Sequence, residues 1–193
     1  MGRKAHFTND QFVDAALALI AEGGPKAVTI AAIAARIGAP VGSVYHRFQS
    51  RERILAEAWL HLAESFQEGF IALLDKDDAV NAALFTPRWV RRHPREARVL
   101  LLYRREEMVA GPWPQEIRRR AEKLEGDLRS ALAAFSLRFF GSPEKACIRR
   151  TVFALIDVPL AAVRRPLEEG RLPAPAVHAL IRETCESIMR RKP

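Results

Sequence analysis

The sequence predicts an all-α fold with a small helix-turn-helix unit at its amino end. Three observations carry this. Apolar residues recur three and four positions apart along most of the 193 residues, and no segment keeps a sustained alternation of period two. Glycine and proline fall between the periodic stretches, at Gly23-Gly24-Pro25, Gly38-Ala39-Pro40, His93-Pro94, Gly111-Pro112, Gly141-Ser142-Pro143 and in "PLEEGRLPAP". Finally, "IAARIGAPVGSVYHRFQSRERIL", Ile33 to Leu55, has helical spacing on both sides of a break that no helix survives.

Bulk composition allows a folded, soluble-type core. Hydrophobic residues make up 49% and charged residues 28% of the chain. The longest apolar run, Ala15 to Ala21, is far shorter than the roughly 18 residues of a membrane helix. The opening "MGRKAHFTND" lacks the apolar stretch of a secretory signal, so a cytoplasmic protein with no membrane partner is expected. Cys147 and Cys185 read as two reduced, half-buried small hydrophobes. The net charge of +8 makes a polyanion a reasonable partner. Yet residues 1–60 hold seven Lys/Arg against five acids, so most of the excess lies downstream. Any case for nucleic acid must therefore rest on geometry.

The elements follow in order. Thr8 and Gln11 have capping-box spacing, and Phe7 can staple to Phe12. Phe12, Ala15, Ala16, Leu19 and Ile20 then line one face of a first helix that stops at Gly23-Gly24-Pro25. Thr29 caps a second helix through Ile37, with Ile33 and Ala34 inward. A third runs only from about Pro40 to Phe48. After "QS", Ser50 caps a long fourth helix, "RERILAEAWLHLAESFQEGFIALL". "AVNAALFTPRWVRR", "REARVLLLYRREEMV", Gln115 to Phe140, Glu144 to Arg165 and Ala174 to Arg191 read as further helices. Pro159 predicts a kink or break within its stretch. The seam between the two parts falls within the fourth helix.

The third helix is the informative one. At 100° per residue Val41, Val44, Tyr45 and Phe48 are expected inward. Gly42, Ser43, His46 and Arg47 then face out. No acid occurs between Pro40 and Gln49. The hydroxyls of Ser43 and Tyr45 can donate to phosphate oxygens, and His46 and Arg47 can reach phosphates or base edges. Arg51 and Arg53 stand in the first turn of the fourth helix, where the helix dipole disfavours cations and where an anion would relieve them.

On these residues the sequence resembles the amino-terminal domain of TetR-type transcriptional regulators. The likeness runs from Phe7 to Trp59 and is carried by Ala15-Ala16, Gly23, Thr29, Ile33-Ala34, Gly38, Gly42-Ser43-Val44-Tyr45, Phe48, Ser50-Arg51-Glu52 and Ile54-Leu55. The resemblance implies a DNA-binding domain over residues 1–53, with its motif at about 29–48. Residues 54–193 would form a helical effector-binding and dimerisation domain. It implies a homodimer on a palindromic double-stranded operator, with a small-molecule effector. Val41, Gly42, Ser43, Tyr45 and His46 match recognition-helix positions, and Thr29 and Arg51 match flanking backbone contacts. Where the family often carries Ser or Thr and a polar residue, this chain has Pro40 and Val41, which offer only apolar contact of the kind a thymine methyl accepts.

Downstream, the resemblance assigns the last two helices to a four-helix dimer interface. Their apolar stripes are Ile148, Val152, Ile156 and Val163, then Val177, Leu180, Ile181 and Ile188. Among the aromatics, Phe66, Phe70, Trp89, Tyr103, Trp113 and Phe153 are candidates for an effector pocket. Trp113, between two prolines, is the candidate lid. "RREEM", Arg104 to Met108, reads as a solvated helix face. No Glu-x-x-His pair, GxSxG, P-loop or HExxH pattern occurs, so no enzyme, metal or cofactor is expected. The competing reading is a helical sensor of a ligand or partner without DNA binding.

Overall fold

The computed structural model describes residues 7–104, 108, 113–142 and 144–190, and among these there is no strand. The helices are α1 (Asn9–Gly23), α2 (Ile30–Ile37), α3 (Val41–Phe48), α4 (Arg51–Leu74), α5 (Ala79–Ala83), α6 (Phe85–Arg92), α7 (Pro94–Leu102), α8 (Gln115–Phe140), α9 (Lys145–Val152), α10 (Val158–Glu168) and α11 (Ala176–Met189). A 3-10 turn, Pro25–Ala27, joins α1 to α2. Among the described residues no helix is long and apolar enough to cross a membrane.

Local chemistry sets the boundaries at the amino end. The Thr8–Gln11 capping box is complete, and the Phe7 and Phe12 rings lie 6.1 Å apart. Thr29 Oγ accepts from Ala32 N at 3.0 Å, and Ser50 Oγ accepts from Arg53 N at 3.1 Å. Gly38 ends α2 at φ 68°, a left-handed conformation that costs glycine little. At the end of α3, Gln49 takes φ 62° without that exemption, which turns the chain at once into Ser50 and α4.

Two cores lie along α4. The first gathers Phe12, Ala16, Ile20, Ile33, Val44, Phe48, Ile54 and Leu55, and extends to Leu62, Val99, Trp113 and Ile117. It thus draws residues from both sides of residue 53. The second joins Phe70 and Leu74 to α5, α8, Leu155 and α11. A smaller third cluster packs Trp89, Val90 and Ala97 on Val163 and Leu167 of α10. The α4–α8 contact is reinforced by Arg120, which reaches Glu57 at 2.8 Å and Glu64 at 2.9 Å, and by an Arg53–Glu116 pair.

Several expectations need correction. "AVNAALFTPRWVRR" divides at Leu84 into α5 and α6, because Pro87 has no N–H to continue the ladder onto Ala83. α7 stops at Leu102; residues 105–107 of "RREEM" and the expected stop at Gly111-Pro112 lie outside the described residues, as do Pro143 and Arg191. Pro159 does not break its helix. The turn before it, Phe153–Asp157, widens to a π-helix in which Val158 N–H donates to Phe153 O, so the chain stays helical from α9 into α10. α10 also passes Pro166 and ends at Glu168, while α11 begins at Ala176 and ends at Met189.

His178 on α11 adds a pH dependence. Its Nε2 is buried without a hydrogen-bond partner, and burial, then Arg88 and Arg91, hold its pKa below the usual 6.5. The folded state therefore binds this proton less readily than the unfolded chain. Stability is full above about pH 6.5 and falls as pH drops from there through the lowered folded value. Urea unfolding at pH 7.5 and 5.5 should show that loss, and H178Q should reduce it.

Candidate nucleic-acid interface and effector cavity

α3 is held by two side chains one turn apart. Val44 is fully buried, and Phe48 meets Phe12 edge-on at 5.8 Å. The expected inward placement of Val41 and Tyr45 is wrong: they are 45% and 54% exposed. A helix of eight residues seats only the narrow strip defined by Val44 and Phe48, and Val41 and Tyr45 lie to its side. The exposed surface of α3 therefore comprises Val41, Gly42, Tyr45 and His46, with Ser43 half-buried at its edge. No side chain caps the α3 N-terminus, where Pro40 stands. A Cβ added to Gly42 would meet nothing, so nothing in the protein itself requires its smallness.

The arginines are placed differently from the sequence expectation. Arg47 Nη1 donates to Asn9 Oδ1 at 2.9 Å, and its guanidinium lies over the Phe12 ring. Arg51 Nε and Nη2 each donate at 2.6 Å, to the carbonyls of Val28 and Pro25. Arg53 pairs with Glu116. The dipole conflict in the first turn of α4 is thus relieved by the protein's own carbonyls and a carboxylate, with no external anion. Thr29 is exposed at the α2 N-cap. Lys26, which sequence reasoning overlooked, is exposed on the 3-10 turn beside it and makes no ion pair among the described residues.

The second feature is a cavity of about 400 Å³ between α4, α6, α7, α8 and the π-turn region, a size usual for small-molecule sites. Phe66 and Phe70 line it, as expected. The other four aromatic candidates do not. Trp89 packs behind Phe66 at 5.0 Å, and Tyr103 belongs to the first core. Phe153 is 50% exposed on the outside. Trp113 is no lid: it is buried edge-on against Trp59 at 5.6 Å, and its neighbour Pro112 lies outside the described residues. The remaining wall is mostly leucine and alanine, with Trp59, Gln67, Thr86 and Glu125 the residues that bring polar atoms. Sequence reasoning missed these. The available signal was Gln67 itself, standing in the otherwise apolar row Leu60, Ala63, Phe70, Leu74.

Of the interface candidates, Val163 and Ile181 are buried within the chain's own cores, so they are not free to meet a partner. Ile148, Val152, Ile156, Val177 and Ile188 are half-buried, while Leu180 is 62% exposed. Among the described residues no cluster of His, Cys, Asp and Glu could hold a metal. Cys147 and Cys185 are free, and burial pushes the Cys185 thiol up to about 11.

Residues 12–58 match the sequence model for bacterial regulatory proteins of the tetR family. No curated protein matches the chain. Solved structures match it over almost its whole length. The transcriptional regulator FadR from Bacillus subtilis, in complex with stearoyl-CoA, aligns with TM-score 0.67 and 16% identity over 96% of this chain and 100% of its own. The fatty acid degradation regulator FadR from Bacillus halodurans gives 0.66 and 16% over 94% and 98%. The TetR family transcriptional regulator PfmR from Thermus thermophilus gives 0.61 and 19% over 98% and 99%.

Arg51 should act first on stability. Its planar fork bridges two carbonyls across the α1–α2 connection, a geometry lysine cannot copy. R51M is expected to cost about 2 kcal/mol in chemical denaturation, the range for charged hydrogen bonds, and R51K should recover little of it.

Proposed function

We propose that this chain, whose amino-terminal domain is that of the tetR family and whose fold is that of TetR-type regulators, binds operator DNA as a homodimer and represses transcription until a small molecule occupies its cavity. The observation that carries the reading is the exposed side of α3. Val41, Gly42, Tyr45 and His46 stand out from the protein, no acid lies among them, and the backbone at Gly42 is open to close approach. The uncapped α3 N-terminus adds free N–H groups and the positive end of the helix dipole.

The contacts divide by type. Thr29, Ser43, Tyr45 and Lys26 suit phosphates. Val41 suits a thymine methyl, and His46 a base edge or phosphate. Arg51 supports binding by bracing the motif, and Arg47 by fixing α3 to α1. Two copies paired through the exposed side of α9 to α11, including Phe153 and Leu180, would bring two α3 helices to major grooves about 34–36 Å apart or a multiple of that. A ligand that prefers dimers with another spacing then weakens operator binding, and DNA weakens the ligand equally. The acyl chain of the stearoyl-CoA held by the Bacillus subtilis FadR supports an apolar group in the cavity. The engagement of Arg47 and Arg51 within the protein favours the alternative, a sensor without DNA binding.

Fluorescence anisotropy on the duplex upstream of the protein's own gene decides between them. The regulator reading expects salt-dependent, saturable binding with a palindromic footprint; the sensor reading expects none even at low salt. G42A is the sharper test. It should leave thermal stability equal or slightly higher, since alanine favours a helix over glycine by about 1 kcal/mol, and yet weaken DNA binding. Y45F should weaken binding to all sequences alike. Replacing operator thymines with uracil, which removes only the methyl, should weaken wild type more than V41A.

A further inference from the structure

The cavity wall says more about its ligand than that it is apolar. Two polar oxygens on it make no hydrogen bond among the described residues. Thr86 is 3% exposed, and among the described residues its hydroxyl makes no hydrogen bond. Gln67 is 8% exposed; its Nε2 donates to Leu124 O at 2.7 Å, which fixes the amide orientation and leaves Oε1 without a donor. Trp59 Nε1 also lacks an acceptor, but it is covered on all sides, so a molecule in the cavity does not reach it. All three residues line the same cavity. Buried polar groups in folded proteins are nearly always satisfied, because leaving one unpaired costs about 1–3 kcal/mol. Two unpaired oxygens opening onto one void, on residues otherwise almost wholly buried, mark a place where something in the void completes the bonding.

Charge narrows the choice. Among the described residues the wall contains no Lys, Arg or His, and its single ionisable side chain is Glu125. Glu125 is exposed at the rim and pairs with Arg129 at 2.9 Å. A buried carboxylate or phosphate would find no counter-charge here, and an uncompensated buried ion is expensive. A neutral oxygen is well served. The Thr86 hydroxyl can donate to it, and Gln67 Oε1 can accept from a hydroxyl.

We propose that the cavity takes an uncharged, mainly apolar molecule bearing one hydrogen-bonding oxygen, an alcohol, ketone, ester or thioester, and discriminates against the corresponding free acid. This rests on the ligand-responsive reading above and specifies its ligand class. Thr86 and Gln67 are the specificity-determining residues. Phe66, Phe70 and Leu155 supply the apolar walls.

Calorimetric titration of the full-length protein at pH 8 with 1-decanol, methyl decanoate and sodium decanoate tests it. The alcohol and the ester should bind at least about tenfold more tightly than decanoate. T86V, nearly isosteric, should cut their affinity several-fold, while T86S, which keeps the hydroxyl, should retain it; thermal melts confirm that both variants fold. Decanoate binding as well as the alcohol, a folded T86V with unchanged affinities, or no binding by any of the three would each overturn the proposal. Operator binding measured on the same samples separates the two readings. A protein that binds DNA but none of these ligands keeps the regulator assignment and loses this one, and a protein that binds neither loses both.

Discussion

The structure depends on the burial of Val44 and Phe48. An eight-residue helix is well below the roughly 12–15 residues that a marginally stable isolated helix needs in water. α3 exists because these two side chains enter the first core, each contributing about 1.5–3 kcal/mol if fully buried. Phe12 closes over Phe48, Ile33 and Ala34 of α2 lie in the same cluster, and Arg51 ties the α1–α2 connection to the start of α4. With the fold satisfied by one narrow strip, the other positions on α3 carry no packing duty. Small and apolar residues there are tolerated by the fold and left open to solvent.

The carboxy-terminal part follows the opposite logic. There the packing is left incomplete. α4 and α8 are clamped near Glu57 and Glu64 by Arg120, yet further along they part around a void walled by Phe66, Phe70, Leu124 and Leu128. Protein interiors are close-packed, and a void of this size forfeits dispersion contacts and leaves the Thr86 hydroxyl and Gln67 Oε1 without partners in the protein. The same helix thus holds the amino-terminal head by well-filled packing and the cavity by deliberate under-filling.

Signals confined to a few neighbouring residues were legible in the sequence. The Thr8, Thr29 and Ser50 caps, the Gly38 turn and the short span of α3 all follow from such local chemistry and appear as expected. Positions that depend on distant partners were not. Arg51 bonds carbonyls 23 and 26 residues away, and no periodicity announces that. The outward turn of Tyr45 depends on how much of α3 the core can seat. Aromatic content singled out Phe66 and Phe70, which line the void, and equally Trp89 and Trp113, which do not, because every aromatic in an apolar stripe looks alike until the void is placed. Gln67 was visible as an interruption of such a stripe, but Thr86 and Trp59 carry no comparable mark.

α4 is 24 residues long, one continuous rod of about 36 Å at 1.5 Å per residue. The residues seated in the head and those facing the void are therefore locked in angular phase along it. Adding a single residue between Leu62 and Phe66 would swing one end by about 100° relative to the other. Either the head or the void would lose its fit, whatever residue was added. Between those two points α4 can diverge only by exchange of one side chain for another, and changes of length must fall outside that span.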